Sequence, residues 1–150
     1  MSEVVVRKVS NHSIMDDFVH VVNGIYRGSP YYVPDLESDV RKLFDSKKNP
    51  GLAFSDIQAF VAYRNDQPVG RIVGIVNDKA NMKWNTKNVR FSMIEFVDDL
   101  TVSKALLDAV EEWGKAKGMD VLQGPLGITD FDKEGMLVGD YDMQGSMNTI

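Results

Sequence analysis

The chain has 150 residues, no cysteine and a net charge of −5, with 43% hydrophobic and 26% charged residues. These totals fit one globular domain and exclude disulfides, thiolate catalysis and cysteine-ligated zinc. The acidic balance argues against a nucleic-acid or anionic-membrane partner.

The opening MSEVVVRKVS has no basic-then-apolar leader pattern, and no apolar run approaches the roughly 20 residues that span a bilayer. With His12 and His20 as the only histidines, no metal is expected, and the cytoplasm is the expected compartment. Val4 to Val9 predicts a first strand, and Asn11 to Ser13 supplies helix-start chemistry. From Ser13 to about Arg27, Ile14, Phe18, Val21, Val22 and Ile25 share one face at helical spacing. Gly28-Ser29-Pro30 ends that helix, with His20 on its polar side. A second helix is expected from about residue 35 to 46, opened by Pro34-Asp35 and striped by Leu36, Val40, Leu43 and Phe44.

Ile57 to Arg64 and Val69 to Val76 flank the turn NDQP and read as a hairpin. Gly70 and Gly74 within it point to a bulge or a close backbone approach. NDKANMKWNTKN reads as a polar connection, and Val89 to Val97 as a long, mostly apolar central strand. An amphipathic helix follows, with Val102, Leu106, Ala109, Val110 and Trp113 on its apolar face. Asp99 is its expected cap, with Thr101 the alternative, and Gly118 closes it. Met119 to Gln123 is then a short strand, so strand, helix and strand imply a parallel pair. Beyond Gly124-Pro125 the pattern fades, with Met136 to Val138 a candidate strand. DFDKEG (130–135) imitates the start of a calcium loop, but its twelfth position is Tyr141, so an aspartate-rich turn is expected.

IYRGSPYYVPDL (25–36), KKNP (47–50), PVGRIVGIVND (68–78), RFSMIEF (90–96) and GPLGITDFDKEGMLVGDYD (124–142) occur here in an informative order. Together with the element order, they make the chain resemble the GNAT (Gcn5-related N-acetyltransferase) family. The resemblance is closest to the N-terminal part of longer, uncharacterised bacterial GNAT-like proteins. It implies an α/β fold with a mixed sheet flanked by helices. The closing helix and last strands find no match between Gly124 and Ile150, so residues 1–150 are expected to be one truncated domain. A second domain or partner chain would complete the sheet.

The resemblance also implies an N-acyltransferase, passing an acyl group from acetyl-CoA or another acyl-CoA to a small-molecule or protein amine. The acyl arm would lie on the backbone of Ile94, Phe96 and Val97, and the pyrophosphate near Thr101, Ser103 and Lys104. Glu95 would take the proton of the amine, and Tyr26, Tyr31 and Tyr32 would wall the acceptor site. A structural alternative stands beside each role: Glu95 paired with Arg71 or Arg90, and the tyrosines as packing.

One departure bears on activity. The family's pyrophosphate loop is glycine-rich, because free amides and the helix dipole favour an anion there. This chain has Asp98-Asp99-Leu100-Thr101-Val102-Ser103 instead, with Lys104 the one cation near in sequence. A helix N-terminus is worth roughly 0.3–1 kcal/mol to an anion, whereas a carboxylate about 4–6 Å away costs on the order of 1–3 kcal/mol. A second reading follows: a non-catalytic GNAT-like binding or docking module with a degenerate CoA site.

Overall fold

A computed structural model of the chain describes residues 2–143. In chain order they form β1 (Val4–Lys8), α1 (His12–Ile25), α2 (Glu37–Lys42), a 3-10 turn (Pro50–Ala53), β2 (Ser55–Arg64) and β3 (Gln67–Asn77). Then come α3 (Asp78–Trp84), β4 (Asn88–Phe96), α4 (Leu100–Ala116) and β5 (Val121–Gln123). The strands lie in one sheet in sequence order. β1 to β4 pair antiparallel, and β4 with β5 is parallel, so the sheet is mixed as expected.

Local chemistry sets the ends of the elements. The Asn11 side chain accepts from the Ile14 amide at 2.9 Å and starts α1. The hairpin turns on Asn65 and Asp66, at φ 50° and 58°. Asparagine and aspartate tolerate that region, and such a pair matches the twist of the two strands. The turn is therefore two residues long, and Gln67 and Pro68 belong to β3. Gly118, at φ 79°, lies beyond the end of α4 as expected.

Alternation along β2 and β3 divides the core into two faces. Val61, Tyr63, Val73 and Ile75 pack with Phe18 and Val19 of α1 and Val40 of α2. Phe60, Ala62, Ile72 and Val76 pack with Val102, Leu106 and Val110 of α4. The close approach expected in β3 is present: a Cβ on Gly74 would lie 3.0 Å from the Trp113 ring.

Three expectations need correction. The second helix is shorter, because the chain tightens into i to i−3 turns after Lys42, as in Phe44 N–H to the Arg41 carbonyl at 3.2 Å. Phe44 still reaches the core, edge-on to Phe18 with centroids 5.6 Å apart. The polar connection after β3 contains α3, capped by the Asn77 side chain at the Ala80 amide and by Asn85 in the left-handed region. Met136 to Val138 is not a strand; it is exposed and unpaired among the described residues. The turn before it is the aspartate-rich one expected, with Asp132 accepting from the Thr129 amide at 2.8 Å. The tail beyond residue 143 lies outside the described residues. No helix among them is long and apolar enough to cross a membrane.

Candidate active site

The β3–β4 pairing builds the site. Arg71 lies opposite Glu95, and Val73 opposite Ser92, so β4 spends one more residue than β3 across this interval. The slip coincides with Met93 at φ 50°, an uncommon conformation for methionine. Side chains alternate along a strand, so without that extra residue Glu95 would face α4. With it, Glu95 and Arg71 share the face covered by α1.

Tyr26, the C-cap of α1, donates its hydroxyl to Glu95 Oε2. Tyr32 stacks on Tyr26, with centroids 4.2 Å apart and planes at 15°. Burial first, and the Glu95 bond second, push the Tyr26 hydroxyl far above the ordinary phenol range, so it stays a donor. Burial also raises Tyr32, against the pull of Arg71. Tyr32 and Arg71 open onto a cleft of about 240 Å³ that α1 and the 32–40 segment enclose. Tyr31 stands apart: it is 41% exposed, and its amide bonds to Ser29 Oγ at 3.4 Å.

Of the two arginines considered as partners for Glu95, Arg71 is the cross-strand neighbour. Arg90 instead donates to the carbonyls of Gly127 at 2.9 Å and Ile128 at 3.2 Å. Arg71 is 3% exposed, and burial pushes its pKa down.

β4 also opens a gap in the sheet. β5 pairs only with Asn88, Val89 and Arg90. The Leu126 amide takes the Phe91 carbonyl at 2.9 Å, and beyond it β4 has no strand partner on that side among the described residues. Ile94 and Phe96 lie along this free stretch. Val97, just past β4, donates its N–H to the Val69 carbonyl at 3.0 Å and accepts from the Asp99 amide at 2.6 Å. The side chains of all three pack on the α4 face.

At the start of α4 the structure changes the electrostatics expected from the sequence. Asp99 is the cap, accepting from the Thr101 amide at 2.8 Å. It also pairs with Arg64, from the end of β2, at 2.8 Å. The Arg64 guanidinium, then the Thr101 amide, hold the Asp99 carboxyl below its usual range. Lys104, the cation expected here, instead points along the helix to Asp108 at 2.5 Å. The Ser103 hydroxyl donates to the Leu100 carbonyl at 3.1 Å. Arg64 is therefore the cation at this turn. Its sequence position gave no sign of it, because hairpin geometry brings it there. No cluster of three metal-ligating side chains occurs among the described residues.

No protein-family model matches the chain. Protein YghO of Escherichia coli is 30% identical over 137 residues, covering 91% of this chain and 35% of YghO. A bacterial ceramide synthase of Caulobacter vibrioides is 27% identical over 114 residues, covering 75% of this chain and 30% of that protein. The chain thus spans about a third of the length of the curated relatives it matches. Among solved structures, an acetyltransferase of the GNAT family from Staphylococcus aureus superposes with a TM-score of 0.53 at 18% identity, over 80% of this chain and 73% of that one. The AAC(6')-Iy structure, in complex with a bisubstrate analogue, CoA-S-monomethyl-acetylneamine, superposes with a TM-score of 0.54 at 15% identity, over 92% and 97%. With the mixed five-stranded sheet and its flanking helices in agreement, the fold of this chain is that of the GNAT acetyltransferases.

Proposed function

We propose that the chain is an acyl-CoA-dependent N-acyltransferase domain with Glu95 as its base. The observation that carries this reading is Glu95 on β4, held by Tyr26 from the end of α1, opposite the cleft residue Arg71 and next to the stretch where β4 leaves β5. An amine entering from the cleft attacks the thioester carbonyl, and the carbon–nitrogen bond forms as the carbon–sulfur bond breaks. Glu95 takes a proton from the amine, and the departing sulfur ends as a thiol. The acyl arm lies along the unpaired edge of β4 at Ile94 and Phe96, with Val97 just beyond it, and Arg64 is the cation nearest the phosphates. Thr101, Ser103 and Lys104 would have to leave their present partners to join it. Tyr26 and Tyr32 wall the acceptor side, and an acyl-CoA donor goes with a cytoplasmic location.

A second reading, a binding or docking module that performs no transfer, is favoured by one fact. The Thr101 amide, which a phosphate would use, is taken by Asp99.

Thiol release from acetyl-CoA and longer acyl-CoAs separates the two, and the chain, lacking cysteine, adds no thiol background. The ceramide synthase among the relatives is a reason to include long-chain amines as acceptors. Glu95→Gln is expected to lower kcat by roughly 10²–10⁴-fold with acyl-CoA affinity retained. A variant as fast as the parent removes Glu95 from the base role. If millimolar acyl-CoA neither raises the melting temperature nor yields thiol with any amine, the module reading stands.

A further inference from the structure

We propose that the acceptor carries a carboxylate beside its amine, and that Arg71 receives it. This rests on the transferase reading for the fate of the amine, but the carboxylate site stands on Arg71 itself.

Arg71 is 3% exposed, and its guanidinium lies over the Phe18 ring, 5.1 Å from the centroid. Of its five N–H groups, the structure accounts for one, donated from Nη1 to the Phe18 carbonyl at 3.2 Å. Nε is buried without a partner, and Nη2 has none among the described residues. A buried guanidinium is costly unless it is paired and hydrogen-bonded. The nearby carboxylates do not pair with it. Asp35 is held by Lys133 at 2.6 Å, Glu37 by His20 at 2.9 Å, and Glu95 accepts from Tyr26. Among the described residues, Arg71 is therefore the one charge lining the cleft that has no ion-pair partner.

Shape narrows the ligand. About 240 Å³ is below the roughly 300–1,000 Å³ of drug-sized pockets, so a head group of amino-acid size is what enters. Val19, Val22 and Val40 give it apolar walls. Arg71 and Glu95 are directly opposed across the strands, where Cβ atoms lie about 4.5–5.5 Å apart. An α-amino acid carries its ammonium and carboxylate on one carbon, so a single head group can meet two side chains that converge from neighbouring strands. Its carboxylate meets Arg71 while its ammonium turns to Glu95. The ammonium gives one proton to Glu95 and becomes nucleophilic. Attack on the acyl-CoA then leaves one hydrogen on the amide nitrogen, and the other ends on the thiol.

The test measures binding without an acyl donor. Glycine, leucine and phenylalanine, each with its primary amide, are titrated into the full chain by calorimetry. At least one acid is expected to bind tenfold or more tightly than its amide, and Arg71→Gln to bring that ratio close to one. Equal binding of acid and amide, binding of neither across the panel, or an unchanged ratio in the variant overturns the proposal. Should Arg71→Gln not fold, the Arg71 Nε–H resonance of the parent decides: it shifts with the acid and not with the amide, or the proposal fails. The two readings fail separately. Acids that bind but are never acylated remove the transferase and keep the site. Acid and amide acylated equally well remove the site and keep the transferase.

Discussion

Asp99 does two things at one turn: it caps α4 through the Thr101 amide and pairs with Arg64. The two can be separated, because asparagine also caps well but carries no charge. Both contacts favour the ionised form, so the folded pKa of Asp99 lies below the unfolded value near 3.9. The stabilisation is then fully present above about pH 4 and is lost as pH falls through the folded value. Asp99→Asn is accordingly expected to be less stable than the parent at pH 7, with the gap closing as pH drops below about 4. Urea midpoints at pH 7, 4 and 3 check this. A gap that stays constant or widens toward low pH would mean that Arg64 does not hold Asp99. The same variant frees Arg64, so it is also expected to bind acyl-CoA more tightly than the parent.

α4 rests on the sheet through positions where side chains are missing as much as through those where they are large. A Cβ on Gly114 would lie 2.5 Å from Val89 Cγ1, on a β-branched residue in a strand that has little freedom to turn aside. Alanine would gain about 1 kcal/mol of helix propensity at this site. Overpacking against Val89 costs about 1–3 kcal/mol, so Gly114→Ala is expected to be destabilising overall. Val89→Ala should relieve it, giving a favourable coupling of about 0.5–3 kcal/mol in a double-mutant cycle followed by chemical denaturation. Simple additivity would mean that the backbone moves apart instead. α4 was legible in the sequence because its apolar stripe, its acidic cap and its closing glycine all agree. α3 was not, since it is one short stretch with no buried apolar stripe and its ends depend on Asn77 and Asn85. The site divides in the same way. Glu95 and the tyrosines came from the family resemblance. The Arg71–Glu95 juxtaposition depends on one extra residue at Met93, and the Arg64–Asp99 pair on how a hairpin meets a helix. Neither is a local pattern, so neither shows in periodicity.

The molecule as a whole is one sheet with a hydrophobic cluster on each face, and β2 and β3 supply alternate residues to both. Phe18 anchors one cluster and Leu106 the other, each with no exposed surface. Neither cluster can dissolve without releasing strands that the other needs. Loss of either anchor is therefore expected to lower the stability of the whole domain instead of melting one face. The expected costs are about 3–5 kcal/mol for Phe18→Ala and about 2–5 kcal/mol for Leu106→Ala. In a Trp84→Phe background, which removes the exposed tryptophan of α3, Trp113 of the α4 cluster reports on that face, whereas far-ultraviolet circular dichroism reports on all the helices and strands. In urea the two signals should move together in the parent and in both variants, as two-state unfolding requires. If Phe18→Ala shifted the dichroism midpoint and left the Trp113 transition in place, the faces would be separate units. The α1 layer carrying Tyr26 could then open alone, and the wall of the acceptor cleft would be the first part of the protein to go.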